Sequence, residues 1–373
     1  MDRRRFLKVL AGLGGVVITS TLVEACNRAV PASQSPTTAT ATDAITEIAA
    51  STDSLVRQSP TAAATQTVVT EHPMARVAFV KTRDRIAGVN RALDLLESNP
   101  VKGKDLFLKP NFNSADPTPG STHNDILRSL VRRLHAMGAG RVTVGDRSGM
   151  GDTRSVMQRT GAFQMAEEMG FDAMVFDELN ADDWELTQVA GSHWQNGFAV
   201  ARPVIEADGV VQTCCLKTHR YGGHFTLSLK NSVGMVAKRV PGEQHDYMHE
   251  LHSSPHQRHM IAEINAAYQP DLILLDGVEA FVDGGPAHGK RVDSQVILAG
   301  ADRVAIDAVG VAILRYFGTT PAVSQGAIFQ QEQIARAVEL GLGVDNPQKI
   351  KLITGDPESA AYADDIRQIL REG

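Results

Sequence analysis

From Met74 onward, short β-branched and apolar runs alternate with longer stretches in which apolar residues recur every three or four positions. Unbroken or alternating apolar runs fit strands, and a period near 3.6 fits an amphipathic helix. Eight runs read as strands: 76–81 (RVAFVK), 105–111 (DLFLKPN), 141–146 (RVTVGD), 172–177 (DAMVFD), 208–217 (DGVVQTCCLK), 271–277 (DLILLDG), 294–300 (SQVILAG) and 349–355 (KIKLITG). Between them, 124–139 places Ile126, Leu127, Leu130, Val131 and Leu134 on one stripe, with Gly138 and Gly140 as its stop. Stretches 303–317 and 331–340 show the same kind of apolar face. The alternation predicts an α/β fold: a mostly parallel sheet with helices on both faces. No internal repeat and no linker divides 74–373, so one main domain is expected, with the His-rich stretch 237–259 as an insertion or lid.

The N-terminal part has a different texture. Arg3, Arg4, Arg5 and Lys8 precede an apolar run from Val9 to Val23, too short for a confident membrane span and well suited to a signal peptide over residues 1–25. The string RRRFLK at 3–8 resembles a twin-arginine export signal, which implies that export machinery as a partner. The run ends in LVEAC, which resembles a lipoprotein cleavage box that leaves Cys26 acylated, although Glu24 departs from that pattern. Residues 26–73 are rich in Ser, Thr, Ala and Pro and lack a sustained period, as a solvated tether would. The expected location is periplasmic, or the extracytoplasmic membrane face if Cys26 is lipidated.

Composition narrows the function classes. Across 373 residues, 37 Lys plus Arg against 43 Asp plus Glu give a net charge of −6, which disfavours a protein built to coat nucleic acid. Three cysteines cannot supply the four thiolates of an ordinary iron–sulfur cluster, so none is expected. Cys214 and Cys215 are adjacent in an apolar strand and read as buried free thiols.

Unusual polar residues recur at strand ends, where open α/β sheets bind ligands. Lys109 and Asn111 close one run, Asp146 another, Lys217 and His219 a third, and Asp276 a fourth. On one rim, such groups suit a small anionic ligand, or a divalent cation held between Asp146 and Asp276. The segment LKTHRYGGHFTLSLKNSVGM adds Lys230 and Asn231, and Gly222 and Gly223 allow a tight loop beside His219. Lys217, His219 and Lys230 are the candidate catalytic groups; Lys109, Asn111, Asn231, Asp146 and Asp276 are the candidate substrate contacts.

Five of the twelve histidines fall at 245, 249, 252, 256 and 259. Pro255 forbids one continuous helix, and Ser254–Pro255 reads as an N-cap and first helical position, leaving 245–252 in a loop. His245, His249, His256 and His259 are the candidate ligands for a divalent or transition metal, although no established spacing such as HExxH appears. Asp302 reads as the N-cap of the helix after SQVILAG.

The ordered set LKPN, LKTH, SLKNSVGM, LLDGVEAF, GGPAHG and AGADRVAIDAVG resembles the family catalogued as domain of unknown function 362, over nearly all of 76–318. That resemblance places Lys109, Asn111, Lys217, His219, Lys230, Asn231, Gly234, Asp276, Gly277, Gly285, Pro286, Gly289, Asp302 and Asp307 at motif positions and implies no particular reaction. Some relatives carry iron–sulfur modules, which this chain lacks the cysteines to hold. Two readings stay open: an exported enzyme acting on a small anionic substrate, and a non-catalytic metal-binding or ligand-binding protein of the cell envelope.

Overall fold

The computed structural model describes residues 74–373; the expected signal peptide, tether and Cys26 lie outside the described residues. Its strands are β1 (Ala75–Lys81), β2 (Leu106–Lys109), β3 (Val142–Asp146), β4 (Asp172–Val175), β5 (Trp184–Thr187), β6 (Phe198–Ala201), β7 (Gly209–His219), β8 (His224–Thr226), β9 (Pro270–Gly284), β10 (Gly289–Val292), β11 (Val296–Gly300) and β12 (Ile350–Ile353). The eight expected runs form a continuous path, β12-β1-β11-β9-β7-β2-β3-β4. Strands β4, β3, β2, β7 and β9 pair in parallel, as do β1 and β12. Strand β11 is antiparallel to both its neighbours, so it alone on the path is reversed. Its end, with Asp302 just beyond, therefore lies on the rim opposite the other strand ends, where Asp302 caps the next helix by accepting from the Ala305 N–H at 2.8 Å.

Alternation along β1 shows how the sheet is covered on both faces. Val77 and Phe79 pack with Leu216, Leu275 and helix Arg303–Tyr316, whereas Ala78 and Val80 pack with helices Arg85–Leu96 and Asn124–Ala136. Helix Asn124–Ala136 buries the stripe expected of it and stops at Met137, before Gly138 at φ 84°. Helix Arg303–Tyr316 is buried on every side from Arg303 to Leu314, which accounts for its broad apolar surface. Cys214 and Cys215 are fully buried free thiols.

The His-rich stretch departs from expectation. A helix, Tyr247–Ser253, occupies what read as loop, because Asp246 accepts from the His249 N–H at 2.8 Å and Tyr247 and Leu251 are buried one turn apart. Helix Gln257–Ile264 begins two residues after Pro255, and Ser254 serves the turn before it by accepting from the His256 N–H. Both helices join a third apolar cluster with Trp194 and Phe198, beside the hairpin of β5 and β6 that the sequence pattern did not predict. The stretch is thus an insertion packed onto the domain through this cluster.

Candidate functional site

Strands β2 and β3 end side by side while β7 runs on past them to His219, and residues from these three strand ends line a small chamber of about 40 Å³. Lys109, Asn111, Asp146, Lys217, His219, Lys230 and Asn231 all line it, so seven of the eight candidate catalytic and substrate-contact residues come together. Each of the three lysines is at least nine-tenths buried.

A continuous polar chain holds the floor. Lys217 Nζ donates to Asn111 Oδ1 at 2.9 Å and to the Gly120 carbonyl. Asn111 Nδ2 donates to Asn231 Oδ1 at 3.0 Å, and Lys109 Nζ lies 2.7 Å from Asp146 Oδ1. Asp146 also accepts the backbone N–H of Phe112 and of Arg147, each at 2.7 Å. A carboxylate is acceptor-only, so this set of donors suits its ionised form. Burial pushes the Asp146 carboxyl up and the Lys109 ammonium down, and each partly offsets the other. Gly234 makes the approach possible: a Cβ there would meet Asp146 Oδ1 at 2.5 Å and Lys109 Nζ at 2.8 Å.

Lys217 and Lys230 have no such carboxylate. The first leans on neutral oxygens, and burial lowers its ammonium. Burial, then the positive charges of Lys217 and Arg147, pushes Lys230 down to about 7. Burial and the two lysines hold His219 well below its ordinary value, so its imidazole is neutral at neutral pH. Its Nδ1 is buried without a hydrogen-bond partner, as are Asn113 Nδ2 and Thr226 Oγ1, all on chamber-lining residues. Unpaired buried polar atoms are costly, and a ligand that pairs with them removes that cost.

Lys230 is placed by a device far away in sequence. Asp307, in the buried helix Arg303–Tyr316, accepts the N–H of Ser228 at 2.8 Å and of Leu229, which fixes the single turn Ser228–Asn231 carrying Lys230 and Asn231. Burial raises the Asp307 carboxyl to about 8 despite those N–H groups.

The chamber adjoins a wider vestibule of about 570 Å³; Arg147, His219, Lys230 and Pro286 line both, and His249, His252 and Lys238 line the vestibule. Arg147, Asn113 and Thr226 escaped the sequence reading. Arg147 directly follows Asp146, and its guanidinium donates to the carbonyls of Val236 and Val233, tying down the segment around Gly234.

Two expectations need correction. Asp276 does not line the chamber and does not share a cation with Asp146. Leu272 and Leu274 point toward helix Arg85–Leu96, and by alternation Asp276 does too. There Arg85 Nε donates to its carboxylate at 2.8 Å, and the Val278 N–H donates to the other oxygen at 3.0 Å. The four histidines also do not converge. His245 Nε2 sits 2.8 Å from Glu250, His249 lines the vestibule, and His256 and His259 meet His193 instead. The break at Ser254–Pro255 separates His249 from His256, so the three-and-four spacing never becomes one face.

The family described as Domain of unknown function (DUF362) matches residues 106–312, more than half of the chain. The chain belongs to that family. Its DUF362 segment contains every chamber residue named above. A relative, the thylakoid-associated protein of Synechocystis, is 25% identical over 224 residues, which are 57% of this chain and 64% of that protein. The chain therefore matches less than two thirds of that relative's length. Among solved structures, the lactate racemase apoprotein of Thermoanaerobacterium thermosaccharolyticum aligns over 62% of this chain and 54% of its own, at 16% identity and a TM-score of 0.37. So loose a likeness carries nothing about the chemistry of the DUF362 chamber.

Proposed function

We propose that this DUF362 domain is an enzyme that binds a small oxyanion, a carboxylate or phosphate group of its substrate, in the lysine chamber and transfers a proton there. The observation that carries this reading is the imbalance of buried charge: Lys109, Lys217 and Lys230 face one lining carboxylate, Asp146. Lys217 holds the anion, since its present partners are neutral oxygens and a charged acceptor makes a stronger bond. Lys109 and Asn111 orient it. Lys230, poised near neutral pH, and His219, a neutral imidazole, are the groups able to take up or deliver the proton. Asp146 steadies Lys109, and Asn231 steadies both Lys109 and Asn111.

The test is calorimetric titration of the full-length chain with sulfate and with oxalate, both fully ionised near neutral pH. Binding of either, lost in Lys217→Met, supports the chamber as the anion site. Unchanged binding in that variant would remove it.

We also propose that the chain is exported through a twin-arginine signal in residues 1–25 and is anchored by acylated Cys26. RRRFLK and LVEAC support this, and the relative's thylakoid association is compatible with a protein working at a membrane. No helix among the described residues is long and apolar enough to cross a membrane. Cys26→Ser should move the chain from the membrane fraction to the soluble one; retention of the variant in the membrane fraction would count against the anchor.

A further inference from the structure

We propose that His193, His256 and His259 form a binding site for a divalent transition-metal ion of the zinc class, separate from the lysine chamber. The three side chains each offer one nitrogen, and those atoms lie within 4.8 Å of one another. The ring centroid of His193 is 4.6 Å from that of His256 and 4.8 Å from that of His259. Ligand nitrogens about 2.0–2.1 Å from a tetrahedral ion stand roughly 3.3 Å apart. The cluster is therefore slightly expanded, and small side-chain rotations would close it.

Its support resembles that of a metal site more than that of a solvated polar face. Glu263, four residues after His259 on helix Gln257–Ile264, is fully buried behind His193. Its carboxylate lies 2.6 Å from His193 Nδ1, and accepts from the His193 N–H at 2.9 Å, from Ser192 Oγ at 2.8 Å and from Arg336 Nε at 3.1 Å. An ionised carboxylate only accepts, so His193 donates from Nδ1, and it is Nε2 that is left to face a metal ion. A carboxylate behind a ligating imidazole fixes its tautomer and strengthens its donation to a metal. The second, independent sign is His259 Nδ1, which is buried with no hydrogen-bond partner.

The ligand chemistry follows from the donor set. Three neutral imidazoles without thiolate favour zinc, copper, nickel or cobalt over magnesium or calcium, which prefer oxygen. His256 is exposed, so an ion can reach the cluster from solvent, and three protein ligands leave a fourth position for water or a small molecule.

The experiment uses the full-length chain, stripped with chelator and then equilibrated with zinc chloride, with bound metal read by elemental analysis after dialysis. One ion per chain is expected, with at least tenfold weaker binding in His256→Ala, an exposed position where folding is not at stake. Glu263→Gln should weaken binding about 10–100-fold; its thermal melt reports whether it folds. His245→Ala combined with His249→Ala should leave the affinity within about twofold. Cobalt in place of zinc should give the visible absorption of a four-coordinate ion, absent in His256→Ala. Sub-stoichiometric zinc in the wild type, binding indifferent to His256→Ala, or binding lost in the His245/His249 variant would each overturn the proposal.

Discussion

The lysine chamber and the histidine cluster concentrate cationic or ligating side chains in opposite ways. In the chamber, the ends of β2, β3 and β7 are locked by sheet pairing, and the lysines are buried against amides, carbonyls and a single carboxylate. In the cluster, a residue of the β5–β6 connection meets the start of a short helix, one histidine is exposed, and the buried charge is the acidic group behind them. A rigid site with surplus positive charge is suited to anions, whereas neutral imidazoles backed by a carboxylate are suited to a cation. Charge sign and burial, rather than the count of basic residues, decide what each region can hold.

The largest separation of the two regions should come from Lys217→Met. Losing a buried charged partner costs about 2–5 kcal/mol of binding, so sulfate and oxalate affinity should fall at least about 30-fold while zinc uptake stays unchanged. A parallel loss of zinc would show that the two regions are one site. Conversely, zinc at a hundred times its dissociation constant should stabilise the wild type by about 2.7 kcal/mol in a thermal melt and leave His256→Ala far less affected.

Gly234→Ala should affect only the chamber. Its Cβ would intrude on the Lys109–Asp146 pair, costing about 1–3 kcal/mol of stability and weakening anion binding. Denaturant unfolding together with anion titration would check both effects.

Lys230 offers a pH test. Its folded value near 7 lies below the usual 10.5, so the folded protein releases this proton first. Anion affinity should decline as pH rises through about 7, by up to tenfold per unit above it, and Lys230→Met should flatten that decline. Stability should show the reverse trend: the buried ammonium is costly below about 7, and that cost fades as pH rises toward 10.5. Lys230→Met should therefore stabilise the protein more at pH 6 than at pH 9, as measured by denaturant midpoints. The smallest effect belongs to His245→Ala, which breaks a partly exposed contact with Glu250 worth about 0–1 kcal/mol and should leave both ligands' binding intact.

Much of the chamber was legible because strand ends are local features: an apolar run followed by a polar residue marks both a strand and the place where it stops, as in LFLKPN and VVQTCCLKTH. Asp276 shows the limit. It ends the same kind of run, but which face it takes depends on the β9 register and on Arg85, almost two hundred residues earlier. Arg147 was hidden for a similar reason, and Asp307, at a motif position of the resemblance, showed no role, because each acts through backbone groups of a segment distant in sequence. His193 was isolated in sequence and gained partners only when the β5–β6 hairpin packed beside helix Gln257–Ile264.

The sequence by itself determined the alternation of strands and helices, the eight runs of the main sheet path and the family, because burial period and motif order are written along the chain. Tertiary structure alone decided the reversal of β11, the removal of Asp276 from the chamber, the depression of Lys230 to about 7 and the grouping of His193 with His256 and His259. Each of these depends on which distant groups come within a few ångströms and how much water they exclude, and packing sets both.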